Sequence, residues 1–72
     1  MGGKKLPIEN YVRTLRVQHD GMTQQALADE IGVTRQTVIA IEACKYSPSL
    51  EVAFRIAAVF GEPLEQVFQY RP

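Results

Sequence analysis

The side chains best suited to chemistry in this chain are clustered. Thr34-Arg35-Gln36-Thr37 sets a hydroxyl, a guanidinium, an amide and a second hydroxyl in consecutive positions. An Arg can give two donors to guanine, a Gln can pair with adenine in a bidentate manner, and a Thr methyl can touch the thymine methyl. Thr23-Gln24 offers a second hydroxyl and amide upstream, and Lys45-Tyr46 a cation and a phenol downstream. These types suit phosphate oxygens, above all where Thr23 and Thr34 begin helices, whose first amides are unpaired and carry partial positive charge. The same residues also fit a plain solvated helix face, and residue type alone leaves that alternative open.

Catalytic and metal-binding readings find little to stand on. His19 is the sole histidine and Cys44 the sole cysteine, far apart in sequence. The carboxylates are scattered singly or lie side by side, as in Asp29-Glu30. Metal sites need several ligands at set spacings, and none occur. Glycine-rich phosphate loops and nucleophile elbows are likewise missing. A chain of 72 residues also lacks the volume for an ordinary substrate cavity. The reading is therefore of a protein that is not an enzyme, with no cofactor, no metal and no small-molecule ligand.

Charge sharpens the question. Eight Lys and Arg balance eight Asp and Glu, for a formal net charge of zero. No overall basicity draws nucleic acid or an anionic membrane, so any anion-binding surface must come from local arrangement. No apolar run approaches the roughly 20 residues of a membrane span, and Met1 to Pro7 has no apolar signal core. A cytoplasmic location is expected. The chain reads as one domain over residues 8–72 behind a flexible segment over 1–7, which includes a candidate short strand near 5–8. A domain of this size buries only about 60% of its unfolded surface, so its core is marginal.

The elements that would position the cluster follow from punctuation and period. Ile8, Val12 and Leu15, with His19 next, recur at helical spacing, predicting a first helix from about Glu9 to His19, ended by Asp20-Gly21. Thr23 caps a second helix, Gln24 to Ile31, with Leu27, Ala28 and Ile31 on one face and Gly32 as its left-handed stop. Thr34 caps a third, Arg35 to about Ala43, whose Val38, Ile41 and Glu42 face opposite to Gln36, Ala40 and Ala43. Ser49 caps a fourth, Leu50 to Phe60, apolar almost all round as a central helix is, and Gly61 stops it. Pro63 opens a last one, Leu64 to Phe68. The tail Val67-Phe68-Gln69-Tyr70 alternates apolar and polar, compatible with a strand against residues near Lys5 to Ile8, although a lone two-stranded pair is marginal. The second and third helices, joined through Gly32 with Val33 as an apolar plug, form a helix-turn-helix pattern.

With these words in place the sequence resembles the lambda-repressor-like, Cro-type helix-turn-helix regulators. The likeness rests on Leu15-Arg16, Met22-Thr23-Gln24, Leu27-Ala28, Ile31 through Val38, Ala40-Ile41-Glu42, Lys45 through Leu50 and Pro63 through Phe68, and runs from about Asn10 to Tyr70. The last segment is similar to a compact single-domain branch of bacterial regulators that includes a repressor of cytolysin genes. The resemblance implies an all-α, five-helix domain with a small two-stranded antiparallel sheet joining the chain ends. It implies a homodimer that binds double-stranded DNA at a pseudo-palindromic operator, most simply as a repressor, with the third helix in the major groove. Arg35, Gln36, Thr37 and Ala40 would then meet bases. Thr23, Gln24, Thr34, Lys45 and Tyr46 would meet phosphates, and Arg16 would pair with Glu42 inside the fold.

Weak long-range attraction makes a dimer physically useful, and Leu64, Val67, Phe68 and Phe54 are its candidate surface. Glu51, Glu62 and Glu65 should lie away from the duplex. Some positions depart from the family pattern. Cys44 stands where Gly or Asn is usual, at a helix end that needs positive φ. Ala43 replaces a position that is often polar, Asp20-Gly21 lengthens the first connection, and Ile39 is apolar on a partly exposed face. A protein-interaction module on the same fold, such as an antitoxin, is the alternative. It would show an exposed apolar patch around Ile39 and Val59.

Overall fold

The computed structural model describes residues 6–72. The order is β1 (Ile8–Asn10), α1 (Val12–Gln18), α2 (Gln24–Ile31), α3 (Arg35–Glu42), α4 (Leu50–Phe60), α5 (Leu64–Val67) and β2 (Phe68–Tyr70). The caps set the three middle helices. The hydroxyls of Thr23, Thr34 and Ser49 accept the amides of Ala26, Thr37 and Val52 at 3.0, 3.3 and 3.2 Å. Gly32 and Gly61 end α2 and α4 at φ of 75° and 65°, conformations open to glycine without a Cβ clash.

The first helix starts later than its apolar period suggests. Ile8 to Asn10 form a strand instead, antiparallel to β2, with Ile8 opposite Tyr70, Glu9 opposite Gln69 and Asn10 opposite Phe68. Asn10 marks the change of state, because its side-chain oxygen accepts the Val12 amide at 3.1 Å and so turns the chain from β1 into α1. The Tyr11 amide bonds to the Val67 carbonyl at 2.9 Å, so the chain crosses to the C-terminal segment before the helix begins. The pairing thus lies on residues 8–10 rather than 5–8. Likewise α5 stops at Val67, and Phe68 joins the strand rather than the helix. Of the expected flexible segment, residues 1–5 lie outside the described residues, while Leu6 and Pro7 are tied down. The Leu6 amide donates to the Cys44 carbonyl at 3.2 Å, and the Arg71 amide to the Pro7 carbonyl at 2.6 Å.

The core is built from Val12, Leu27, Ala28, Ile31, Val38, Ile41, Ala53, Ile56, Ala57 and Val67. Two expectations change here. Val67 is fully buried, so it is a core residue and has no surface to offer a second subunit. Helix α4 is one-sided rather than central: Ala53, Ile56 and Ala57 are buried, but Leu50 and Phe54 stay 67% and 53% exposed.

Candidate nucleic-acid interface

Helices α2 and α3 pack directly on each other, and the small, fully buried Ala28 lets them approach. The turn is closed by the Gly32 and Val33 amides, which both bond to the Ala28 carbonyl at 2.9 and 3.0 Å. Val33 packs against the core as the expected plug. Arg55 of α4 finishes the motif from behind. Its Nη1 donates to the Ile31 carbonyl at 3.1 Å, and its Nη2 meets the Glu51 carboxylate at 2.6 Å.

This frame holds α3 with its leading end outward. Arg35 and Gln36 are exposed, Thr37 and Ala40 are half-buried, and Val38 and Ile41 point into the core. The Thr34 and Thr37 hydroxyls lie 3.1 Å apart. Lys45 and Tyr46 are exposed just beyond the helix.

The expected ion pair is present and bidentate. Arg16 Nε lies 2.8 Å from Glu42 Oε2 and Nη2 lies 3.2 Å from Oε1, with side chains only 11% and 7% exposed. Arg16 Nη1 also donates to the Met22 carbonyl at 2.7 Å, tying the pair to the segment that leads into α2. Gln24 belongs to the same network: its Nε2 donates to Glu42 Oε1 at 3.1 Å. A side-chain amide carries two N–H donors, so Gln24 keeps one for an outside acceptor while Glu42 fixes its direction.

Beside this network lies an open cleft of about 620 Å³ whose lining includes Arg13, Thr23, Gln24, Arg35 and Ile39. The Glu42 charge is taken up by Arg16, so Arg13 and Arg35 leave the cleft with a positive balance. Sequence reasoning missed Arg13. The signal available was its spacing of one helical turn from Arg16, which makes the two neighbours on α1.

The other expected features sort as follows. Cys44 does take a left-handed backbone, at φ 59°. Its amide bonds to the Ile41 carbonyl and that of Lys45 to the Ala40 carbonyl, both at 3.0 Å, which is a Schellman ending. Cys44 is half-buried, and its sulfur accepts from Asn10 Nδ2 at 3.8 Å. Ile39 and Val59 are both half-buried, and Ile39 lines the open cleft. Leu64 and Phe68 are half-buried and, with Ile8, Pro48 and Ala53, line an apolar hollow of about 310 Å³. Among the described residues, no group of His, Cys, Asp and Glu could hold a metal ion. No helix among them is long and apolar enough to cross a membrane.

Two capped helices meeting at a left-handed glycine, the second presenting Arg35 and Gln36, define a helix-turn-helix DNA-binding domain. The helix-turn-helix family model matches residues 12–67, and the chain belongs to that family in its lambda-repressor-like, Cro/C1-type form, as a transcriptional regulator. It is 48% identical over 63 residues to an HTH-type transcriptional regulator of Methanocaldococcus jannaschii, covering 88% of this chain and 94% of that one. A second such regulator, of Methanothermobacter thermautotrophicus, is 51% identical over 61 residues, covering 79% of this chain and 88% of the relative. The cryptic phage CTXphi transcriptional repressor RstR of Vibrio cholerae is 36% identical over 56 residues, covering 78% of this chain and 50% of the relative. Archaeal relatives stand beside bacterial and phage ones, so the family likeness does not single out a bacterial source.

Proposed function

We propose that this regulator binds a pseudo-palindromic DNA site as a homodimer, each subunit laying α3 in the major groove, and represses by occupying the site. The observation that carries the reading is the exposed Arg35–Gln36 pair at the leading end of a capped helix, flanking a cleft in which Arg13 and Arg35 outweigh the neutralised Glu42. Arg35, Gln36, Thr37 and Ala40 read bases. Thr23, Gln24, Thr34, Lys45 and Tyr46 hold phosphates, and Arg13 joins them. The name of the RstR relative supports the repressor role. A cytoplasmic location accords with this action on DNA.

Zero net charge supports the need for two copies, because only Lys45 and Arg13 among the phosphate-holding residues are charged and each subunit gains little long-range attraction. The hollow lined by Leu64 and Phe68, next to the protruding Phe54, supplies an apolar face for the second copy. Selection of bound duplexes from a random DNA pool at fixed salt tests the proposal. It should enrich an inverted repeat with half-sites about one helical turn, roughly 34–36 Å, apart. A pool without enrichment, or one enriched in a lone half-site, overturns it.

A further inference from the structure

We infer that Asn10 is a positioning residue for DNA reading: its side chain braces the rear end of α3 and couples that helix to the terminal sheet. The inference rests on the proposed role of α3 in the major groove. Asn10 sits on β1, opposite Phe68 of β2. Its half-buried amide uses both ends. The oxygen accepts the Val12 amide at 3.1 Å, and the nitrogen donates to the Ile41 carbonyl at 2.9 Å. Ile41 belongs to the last turn of α3, and its carbonyl, which also accepts the Cys44 amide at 3.0 Å, takes Asn10 as a second donor. Asn10 Nδ2 also approaches Cys44 Sγ at 3.8 Å, and the Leu6 amide bonds to the Cys44 carbonyl at 3.2 Å. The segment from Leu6 to Asn10 therefore grips one carbonyl in the last turn of α3 and one two residues past it, while the β1 backbone is held by β2.

The leading end of α3 reads and the trailing end is gripped, so a small swing about the packed Val38 and Ile41 would move Arg35 and Gln36 across the base edges. Phosphate contacts carry no sequence information, whereas base contacts do. Loss of the brace should therefore harm discrimination more than general affinity. A purely structural role would act differently: fewer folded molecules lower specific and random binding by the same factor.

The test compares Asn10→Ala and Asn10→Asp with the parent protein, on the duplex selected from the random pool and on a scrambled duplex. Asp keeps the acceptor for Val12 but has no donor for Ile41. Both variants should bring the specific-to-random ratio down by about tenfold, the worth of one base contact, with random binding little changed. Leu6→Pro removes the other donor at an exposed position and should narrow the ratio in the same direction, which keeps the test decisive if the Asn10 variants do not fold. An unchanged ratio in the folded variants, or an equal loss on both duplexes, overturns the inference. Failure of the parent to select any duplex would instead overturn the DNA-reading proposal itself.

Discussion

The Arg16–Glu42 pair lies in the wall of the cleft shared with Arg13 and Arg35, and its burial decides its worth. Both charges have left most of their water, so removing one partner strands the other. Glu42→Ala should cost about 3 kcal/mol in urea unfolding, whereas Glu51→Ala, at an exposed pair within one helix, should cost no more than about 0.5 kcal/mol. Similar losses for the two would contradict the burial argument. The reading residues call for a different measurement. Arg35→Ala should relax selection at one base position, by about 1–3 kcal/mol. Arg13→Ala should weaken all duplexes alike and lower the salt slope by about one. A sequence-selective loss for Arg13 would move it from phosphate to base. The exposure of Arg35 and Gln36 at the head of α3 was legible in the sequence because they follow a Thr cap and a glycine turn. The bond from Gln24 to Glu42 was not, since it joins two helices through a charge whose position only the packed fold sets.

Helix endings explain most of what the sequence could and could not reveal about the elements. Thr23, Thr34 and Ser49, with Gly32 and Gly61, are local signals, and α2, α3 and α4 fall within a residue of where they point. Ile8 misled because it lies in helical register with Val12, yet its backbone pairs with Tyr70 at the other end of the chain. Periodicity reports neighbours in sequence, and that pairing is set by tertiary contact. Val67 was ambiguous for a similar reason: an apolar residue on a four-residue helix can face the core or a partner, and here it is fully buried. Cys44 is the local signal that is wrong for its position and is tolerated. At φ 59° it bears a left-handed penalty of about 1–2 kcal/mol, partly offset in a Cys44→Gly variant by the greater freedom of unfolded glycine. That variant should gain about 0.5–1 kcal/mol, a rise of several degrees in Tm. Gly32→Ala should lose stability, because φ is 75° and the new Cβ would sit 3.2 Å from Arg55 Nη1, the donor that caps α2. A neutral result at either position would show that the turn relaxes more than its hydrogen bonds suggest.

For the molecule as a whole, the balance of charge shifts the burden of binding from attraction to geometry. A neutral subunit has little field to draw it to DNA, so in the proposed homodimer two copies of α3 held at a fixed separation supply the affinity. Phe54 and Leu50 are the large apolar groups left exposed on α4, next to the hollow between Pro48, Ala53, Leu64 and Phe68. A protruding ring beside a recess on one face is self-complementary under a two-fold axis, where each copy gives one and receives the other. Phe54→Glu puts a carboxylate into that contact without disturbing the monomer's core. Its unfolding midpoint measured on monomer should stay close to the parent's, because the ring is half in water already. Sedimentation should show a single subunit at concentrations where the parent is a dimer. Affinity for the paired half-sites should fall by roughly a hundredfold, while binding to an isolated half-site stays the same, because only the linkage between the two reading helices is lost. A variant that remains dimeric would move the interface elsewhere. A monomeric variant that binds paired half-sites as tightly as the parent would remove the need for two copies altogether.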